Sequence, residues 1–102
     1  MNKRLAFLES MTASGKADAF AWYGLAMEYR REGRTDDALA TFAKLRELHA
    51  DYLPMYLMAG QVLTDAQRPD EARQWLEAGI TLARAQGNSH ALGELESALA
   101  LC

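Results

Sequence analysis

Few residues in this sequence have the types and the spacing that catalysis or metal binding requires. The two histidines, His49 and His90, fall near the ends of different predicted helices, and the single cysteine is Cys102. No HExxH, Ser-x-x-Lys, CxxC or glycine-rich phosphate-binding motif occurs. Glu28 and Glu32 have the spacing of a solvated helix face and not of paired catalytic acids. We therefore expect no enzyme activity, no metal site and no cofactor.

Composition predicts the fold class and excludes several kinds of partner. The 102 residues include 19 Ala and 15 Leu but only one Val and one Ile. Ala and Leu favour helices, whereas β-branched residues favour strands, so we predict an all-α protein. The formal charge of −3 gives no general attraction to nucleic acid. No apolar run approaches the roughly 20 residues that cross a membrane.

We expect no signal peptide at the amino-terminal residues. Lys3 and Arg4 are cationic, but the apolar stretch that follows them ends at Glu9, which is too short for a signal-peptide core. With one cysteine, the chain also has no disulfide framework of the kind found in secreted proteins. We expect a cytoplasmic protein.

Capping and helix-breaking residues divide the chain into six helices. Asp18 is a helix N-cap, Gly33 and Gly87 end helices, and Pro69 opens one. Thr35 is predicted to cap the third helix, and Asn88 or Ser89 the last. The connections are short enough to make neighbouring helices antiparallel hairpins. The predicted helices span residues 2–14, 18–32, 35–49, 53–66, 69–86 and 89–101.

A size pattern recurs at a spacing of 34 residues. The first copy reads Trp22-x2-Leu25-Ala26-x2-Tyr29 followed by Ala38-x3-Phe42. The second copy, 34 residues on, consists of Tyr56, Ala59, Gly60, Leu63, Ala72 and Leu76. Small residues at such positions let two helices cross closely, and we expect Ala26 to face Ala38 and Gly60 to face Ala72. Arg34, Asp36 and Asp37 return as Arg68, Asp70 and Glu71.

This pattern resembles the tetratricopeptide repeat, W-x2-L-G-x2-Y followed by A-x3-F. The resemblance implies a short right-handed array of antiparallel helix hairpins, a small α-solenoid. We expect a single domain over 1–102, complete in itself, with a half-repeat at 1–17, repeats at 19–52 and 53–86, and a capping helix at 87–102. Its main core residues are predicted to be Trp22, Tyr29, Phe42, Tyr56, Leu63 and either Trp75 or Leu76. Trp22→Ala should then cost about 3–5 kcal/mol.

In this family the first helix of each hairpin lines a concave face that binds peptides or partner helices. Helical geometry places a second stripe opposite the repeat motif. Its aromatic, methionine and arginine side chains are typical of protein-binding surfaces. The family's clamp of Lys, Asn and Arg for a free carboxylate is absent, so we expect an apolar or amphipathic protein segment as partner. The predicted binding residues are Phe20, Tyr23, Met27, Arg30 and Arg31 on the second helix, and Leu57, Met58 and Gln61 on the fourth.

Three alternatives stay open at this stage. The same apolar face could be buried in a homodimer, in which case the chain is a self-associating structural module. Phe20 and Leu57 could instead pack on the preceding helix and have no part in binding. An enzyme or a small-molecule binder is the third alternative, although no residues in the sequence support it.

Overall fold

The chain folds into α-helices. A computed structural model describes residues 2–102, and Met1, the first residue of the predicted half-repeat, lies outside the described residues. Within residues 2–102 there are six helices and no strand, and every helix end lies within one residue of its predicted position. The all-α fold class is therefore confirmed. The helices are α1 (Lys3–Ala13), α2 (Ala19–Arg31), α3 (Thr35–Leu48), α4 (Pro54–Asp65), α5 (Pro69–Gln86) and α6 (Ser89–Ala100).

Side-chain caps start two of the helices where the sequence predicted them. The Asp18 carboxylate accepts a hydrogen bond from the Ala21 amide at 2.9 Å, and Asn88 accepts from Ala91 at 3.0 Å. Asn88, and not Ser89, is therefore the cap of α6. The prediction that Thr35 caps α3 is wrong. Arg34 occupies the cap position, no side chain bonds there, and Thr35 is already helical.

The turns that precede α3 and α5 repeat each other at the 34-residue spacing. Gly33 and Gln67 both adopt left-handed backbone, with φ of 74° and 61°. Glycine is favoured in this conformation, so Gln67 holds it at some cost in backbone strain. A backbone hydrogen bond recurs with the turn: the Arg34 amide donates to the Tyr29 carbonyl, and the Arg68 amide to the Leu63 carbonyl, both at 2.9 Å. An ion pair also recurs, between Arg34 and Asp37 and between Arg68 and Glu71, both at 2.8 Å.

The chain forms two compact units. The N-terminal unit ends at Ala50 and contains α1 to α3, and the C-terminal unit begins at Asp51 and contains α4 to α6. The assignment of 1–102 to one domain with repeats at 19–52 and 53–86 stays a prediction.

In the N-terminal unit, α2 packs against both α1 and α3. Ala26 and Ala38 are fully buried, as the size pattern predicted, and so are Phe42 and Leu45. Leu5 and Leu8 of α1 form a second cluster with Leu25 of α2.

Two of the predicted core residues are not at the centre of this unit. Trp22 and Tyr29 are only partly buried and pack against the margin of the leucine cluster, because Leu5, Leu8 and Leu25 fill its middle. The prediction that they are main core residues is wrong, and the partial exposure of Trp22 lowers the cost that we expect for Trp22→Ala.

In the C-terminal unit, α5 packs against both α4 and α6. A Cβ atom on Gly79 would lie 2.7 Å from Cβ of Tyr56 on α4 and 2.9 Å from Cδ2 of Leu95 on α6. Neither distance is possible for a real side chain, so both contacts need glycine at this position. The sequence pattern did not identify Gly79.

Gly60 marks a second close approach in this unit. A Cβ there would lie 2.5 Å from Cδ2 of Leu76, so the side chain of Leu76 covers this glycine. Ala72 is fully buried, and its position opposite Gly60 stays a prediction. Leu76 is fully buried, and Tyr56 and Leu63 are buried as predicted. Trp75 is partly exposed, with its ring centroid 5.8 Å from that of Tyr56.

The two aromatic residues of the N-terminal unit should differ in their contribution to stability. We expect Phe42→Ala to lower the free energy of unfolding by about 3–5 kcal/mol, because the ring is fully buried. Trp22→Ala should cost about half as much, because part of the indole stays in water. Urea unfolding of both variants measures the difference. Equal losses would contradict the peripheral position of Trp22.

Two glycine substitutions test the packing of α5. Gly79→Ala should lower the free energy of unfolding by about 1–3 kcal/mol, because α4 or α6 must move to accommodate a methyl group. Gly93→Ala in α6 is the matched control, since no atom lies within 4 Å of its Cβ position. That change should raise stability by about 0.5–1 kcal/mol through helix propensity. Thermal unfolding compares the two variants, and a Gly79→Ala protein as stable as wild type would contradict the close approach.

Candidate functional site

Five of the predicted binding residues lie along one stripe of α2. Buried Ala21, Leu25 and Glu28 lie on the other side of the helix. Phe20 is 68% exposed, and the side chain of Arg31 is 81% exposed. The remaining members of the stripe are partly buried: Tyr23, Met27 and Arg30.

The ring of Tyr23 is held by the core beneath it. Its centroid lies 6.4 Å from that of Phe42 on α3, and the ring planes meet at 62°, which is an edge-to-face contact. Because Phe42 is fully buried, this contact fixes the tyrosine ring while leaving part of it accessible. Tyr23 therefore has a structural role in addition to its place on the stripe.

A carboxylate is buried behind the cationic end of the stripe. The side chain of Glu28 is only 9% exposed, and its Oε1 lies 3.1 Å from Nε of Arg4 on α1 and 3.9 Å from a terminal nitrogen of Arg31. The interpretation of Glu28 as part of a solvated face is wrong. Its closer charged partner, Arg4, comes from another helix, so spacing along α2 could not reveal the burial of Glu28.

Asn2 completes this polar contact between α1 and α2. Its Oδ1 accepts from the Leu5 amide at 3.0 Å, which caps α1, and its Nδ2 donates to Glu28 at 3.0 Å and to Glu32 at 2.6 Å. The Asn2 side chain thus caps α1 and also links α1 to the end of α2 by hydrogen bonds. No pattern in the sequence marks Asn2 as a residue with this role.

Two shallow depressions adjoin the cationic end of α2. One has a volume of about 420 Å³ and is lined by Met27, Glu28, Arg30 and Arg31. The other, of about 730 Å³, lies between the ends of α1 and α2 and also includes Glu28 and Arg31 in its lining. Arg31 therefore borders both depressions, with an apolar methionine on one side of it and the Arg4 cation on the other.

The other three predicted residues lie on α4 in the C-terminal unit. Leu57, Met58 and Gln61 are partly buried, so this stripe is less accessible than Phe20 and Arg31 of α2. Farther along α4, Thr64 donates to the Gly60 carbonyl at 2.9 Å, and its hydroxyl lies 3.6 Å from Sγ of Cys102. The predicted α2 residues thus lie together in the N-terminal unit, and the predicted α4 residues lie together in the C-terminal unit.

The two histidines considered for catalysis belong to different units. The His49 amide donates to Leu45 at the end of α3, and His90 is an exposed side chain 3.5 Å from Glu94. Among residues 2–102, no three His, Cys, Asp or Glu side chains are placed to hold a metal ion. In the same part of the chain, no helix combines the length and the apolar character needed to cross a bilayer.

Comparison with known protein families identifies the family of this chain. A family model described as tetratricopeptide repeat matches residues 29–93, which is more than half of the sequence. The chain belongs to the tetratricopeptide repeat family. Domains of this family act in general as protein–protein interaction modules. A search of the curated proteins finds no match.

Solved structures of tetratricopeptide repeat proteins are similar to this chain. The solution structure of a tetratricopeptide repeat domain protein from Salinibacter ruber is 34% identical, with a TM-score of 0.77, and the match covers 80% of this chain and 83% of that one. A crystal structure from the same organism is also 34% identical, with a TM-score of 0.75 and coverage of 80% and 92%. A protein of Bordetella parapertussis is 24% identical, with a TM-score of 0.82 and coverage of 97% and 86%, and at this identity it shows the fold alone.

Tyr29, the tyrosine of the first tetratricopeptide repeat motif, links all three helices of its unit. Its hydroxyl donates to Oε2 of Glu9 on α1 at 2.6 Å, and the guanidinium carbon of Arg34, at the start of α3, lies 4.6 Å from its ring centroid. Burial, and then the hydrogen bond to Glu9, raise the pKa of Tyr29 to about 12. The protonated phenol is therefore the form that stabilises the fold.

The raised pKa of Tyr29 predicts a loss of stability at high pH. The contribution of a protonated group is complete below its unfolded pKa of about 10 and disappears as pH rises through about 12. We expect the difference in unfolding free energy between wild type and Tyr29→Phe to shrink across this window. Urea unfolding at several pH values measures it, because arginine and lysine titrations affect both proteins alike. A constant difference would contradict the raised pKa of Tyr29.

Proposed function

We propose that this chain is a non-enzymatic adaptor that binds an apolar or amphipathic segment of a partner protein along the exposed face of α2. The observation that carries the proposal is the stripe on which Phe20, 68% exposed, is followed by Tyr23, Met27 and the exposed Arg31. A solvated helix face normally carries Lys, Glu and Gln, whereas aromatic, methionine and arginine residues are typical of interface hot spots.

The cationic end of the stripe supports a partner that is also acidic. Arg31 borders both depressions, and buried Glu28 holds Arg4 beside it. An acidic side chain of the partner could pair with Arg31 while its apolar side chains cover Met27 and Phe20. We therefore propose an amphipathic helix with at least one Asp or Glu beside its apolar stripe.

We extend the proposal to α4 by the 34-residue spacing. Tyr23 and Met27 correspond to Leu57 and Gln61, and Met58 lies beside them. In this family the first helices of the hairpins line the concave groove, and we propose that the α4 residues contribute to the same kind of binding face. Their partial burial supports a smaller contribution than that of α2.

Selection from a library of short random peptides displayed on phage, with the wild-type chain as bait, tests this proposal. Enriched peptides should combine apolar residues at helical spacing with Asp or Glu. Fluorescence anisotropy of one such peptide should show binding at least ~10-fold weaker for Phe20→Asp and a comparable loss for Arg31→Glu. Phe7→Ala is the control, because Phe7 is exposed on α1 and not on the stripe. Peptides that bind all three variants as tightly as wild type would refute the proposed face.

A measurement of the mass in solution distinguishes self-association through this face from the binding of another protein. Light scattering of wild type and of Met58→Asp over a wide range of dilution makes the comparison. If the wild type forms a dimer that Met58→Asp dissociates, the chain covers this face with a second copy and the adaptor proposal fails. A mass unaffected by Met58→Asp leaves the face available to another protein.

A further inference from the structure

The two units differ in charge. Residues 1–50 contain eight Lys and Arg against seven Asp and Glu, a net charge of +1, whereas residues 51–102 contain three against seven, a net charge of −4. These counts take histidine as neutral and leave out the termini. Net charge therefore favours a contact between the N-terminal unit of one copy and the C-terminal unit of another over a contact between two C-terminal units.

The solvent-facing side of α1 carries one bulky apolar residue beside a cation. Leu5, Leu8 and Thr12 are buried on the other side of this helix, whereas Phe7 is 61% exposed. Lys3 lies one helical turn before Phe7 on the same stripe and is also exposed. A phenyl ring that remains in water on a small helix is a candidate contact residue.

A groove between α5 and α6 offers the complementary surface. It has a volume of about 520 Å³, and its apolar lining includes Ile80 and Leu99. Its charged lining consists of Glu77, Arg84 and Glu96, a net charge of −1, and Arg84 lies 3.6 Å from Glu96. Glu77 lies one helical turn before Ile80, which matches the one-turn separation of Lys3 and Phe7.

We propose that copies of this chain associate head to tail, with α1 of one copy seated on the α5–α6 groove of the next. Phe7 covers Leu99, which is partly exposed, and the small part of Ile80 that is not buried, and Lys3 pairs with Glu77. The occupant of the groove is a second copy because α1 of the same sequence presents the cation and the apolar side chain at the spacing that the groove requires. Neither surface includes a residue of the proposed partner-binding stripe.

Such a contact has consequences for the size of the assembly. The two sides of the contact are different surfaces. Every assembly therefore has a free α1 surface at one end and a free α5–α6 groove at the other, and association continues instead of stopping at a dimer. One phenyl ring and one ion pair bury a small area, so the association is weak and appears only at high concentration. The ion pair also makes it sensitive to salt.

Sedimentation equilibrium of the full chain at concentrations up to about 1 mM tests the contact. The wild-type mass should rise beyond that of a dimer without a plateau, and Phe7→Ala should weaken association about 10-fold or more. Leu48→Ala is the matched control, because it removes an exposed apolar side chain of α3 that belongs neither to this contact nor to the partner-binding stripe. A wild type that stays monomeric, a mass that stops at a dimer, or equal effects of the two variants would overturn the proposal.

A charge-swap cycle tests the pairing of Lys3 with Glu77. Lys3→Glu and Glu77→Lys should each weaken association about 3-fold to 10-fold. The double variant should recover most of the loss, because every contact in a head-to-tail assembly joins residue 3 of one copy to residue 77 of the next. Circular dichroism of each variant confirms that α1 and α5 remain helical. A double variant as weak as the sum of the single changes would refute the pairing.

Discussion

The absence of a side chain at Gly79 is the constraint on which the C-terminal unit depends. At this position α5 meets the Cβ of Tyr56 on one side and the Leu95 side chain on the other, at distances that exclude a methyl group. The contacts of α5 with α4 and with α6 therefore both depend on this glycine. The groove lined by Ile80 and Leu99 forms immediately beyond that residue, so its shape depends on how closely α6 approaches α5. An internal glycine lowers helix propensity, and the burial of Leu95 and Tyr56 offsets that cost.

The N-terminal unit joins its first two helices by a different means. Leucines form the apolar part of the α1–α2 contact, and Glu28 adds a buried carboxylate with partners on α1. Glu28 is the buried member of this pair, since the side chain of Arg4 is 65% exposed, so removal of Arg4 would leave a buried carboxylate with less compensation. The same carboxylate holds Arg4 close to the Arg31 end of the α2 stripe. The contact that joins the helices therefore also sets the charge of the exposed surface.

Helix boundaries could be predicted from the sequence because their causes are local. Asp18 bonds an amide three residues away, and Gly33 needs only its own backbone freedom. The position of Trp22 could not be predicted, because its burial depends on how α1 covers α2, which the 34-residue pattern does not describe. The burial of Glu28 could not be predicted for the same reason, since its partners Asn2 and Arg4 lie more than 20 residues earlier in the chain. The α2 stripe could be predicted from helical geometry alone. The contact of Tyr23 with Phe42 could not, because it depends on how α3 packs against α2.

The short connections within each unit have a consequence for the rate of folding. Only Gly87 and Asn88 separate α5 from α6, and residues 66–68 separate α4 from α5. Closing such short loops costs little chain entropy, so each hairpin can assemble from neighbouring segments before distant parts of the chain meet. Contacts that are close in sequence are associated with folding in microseconds to milliseconds. A chain of this kind exposes its buried alanines and leucines only briefly after synthesis, which limits the time available for aggregation.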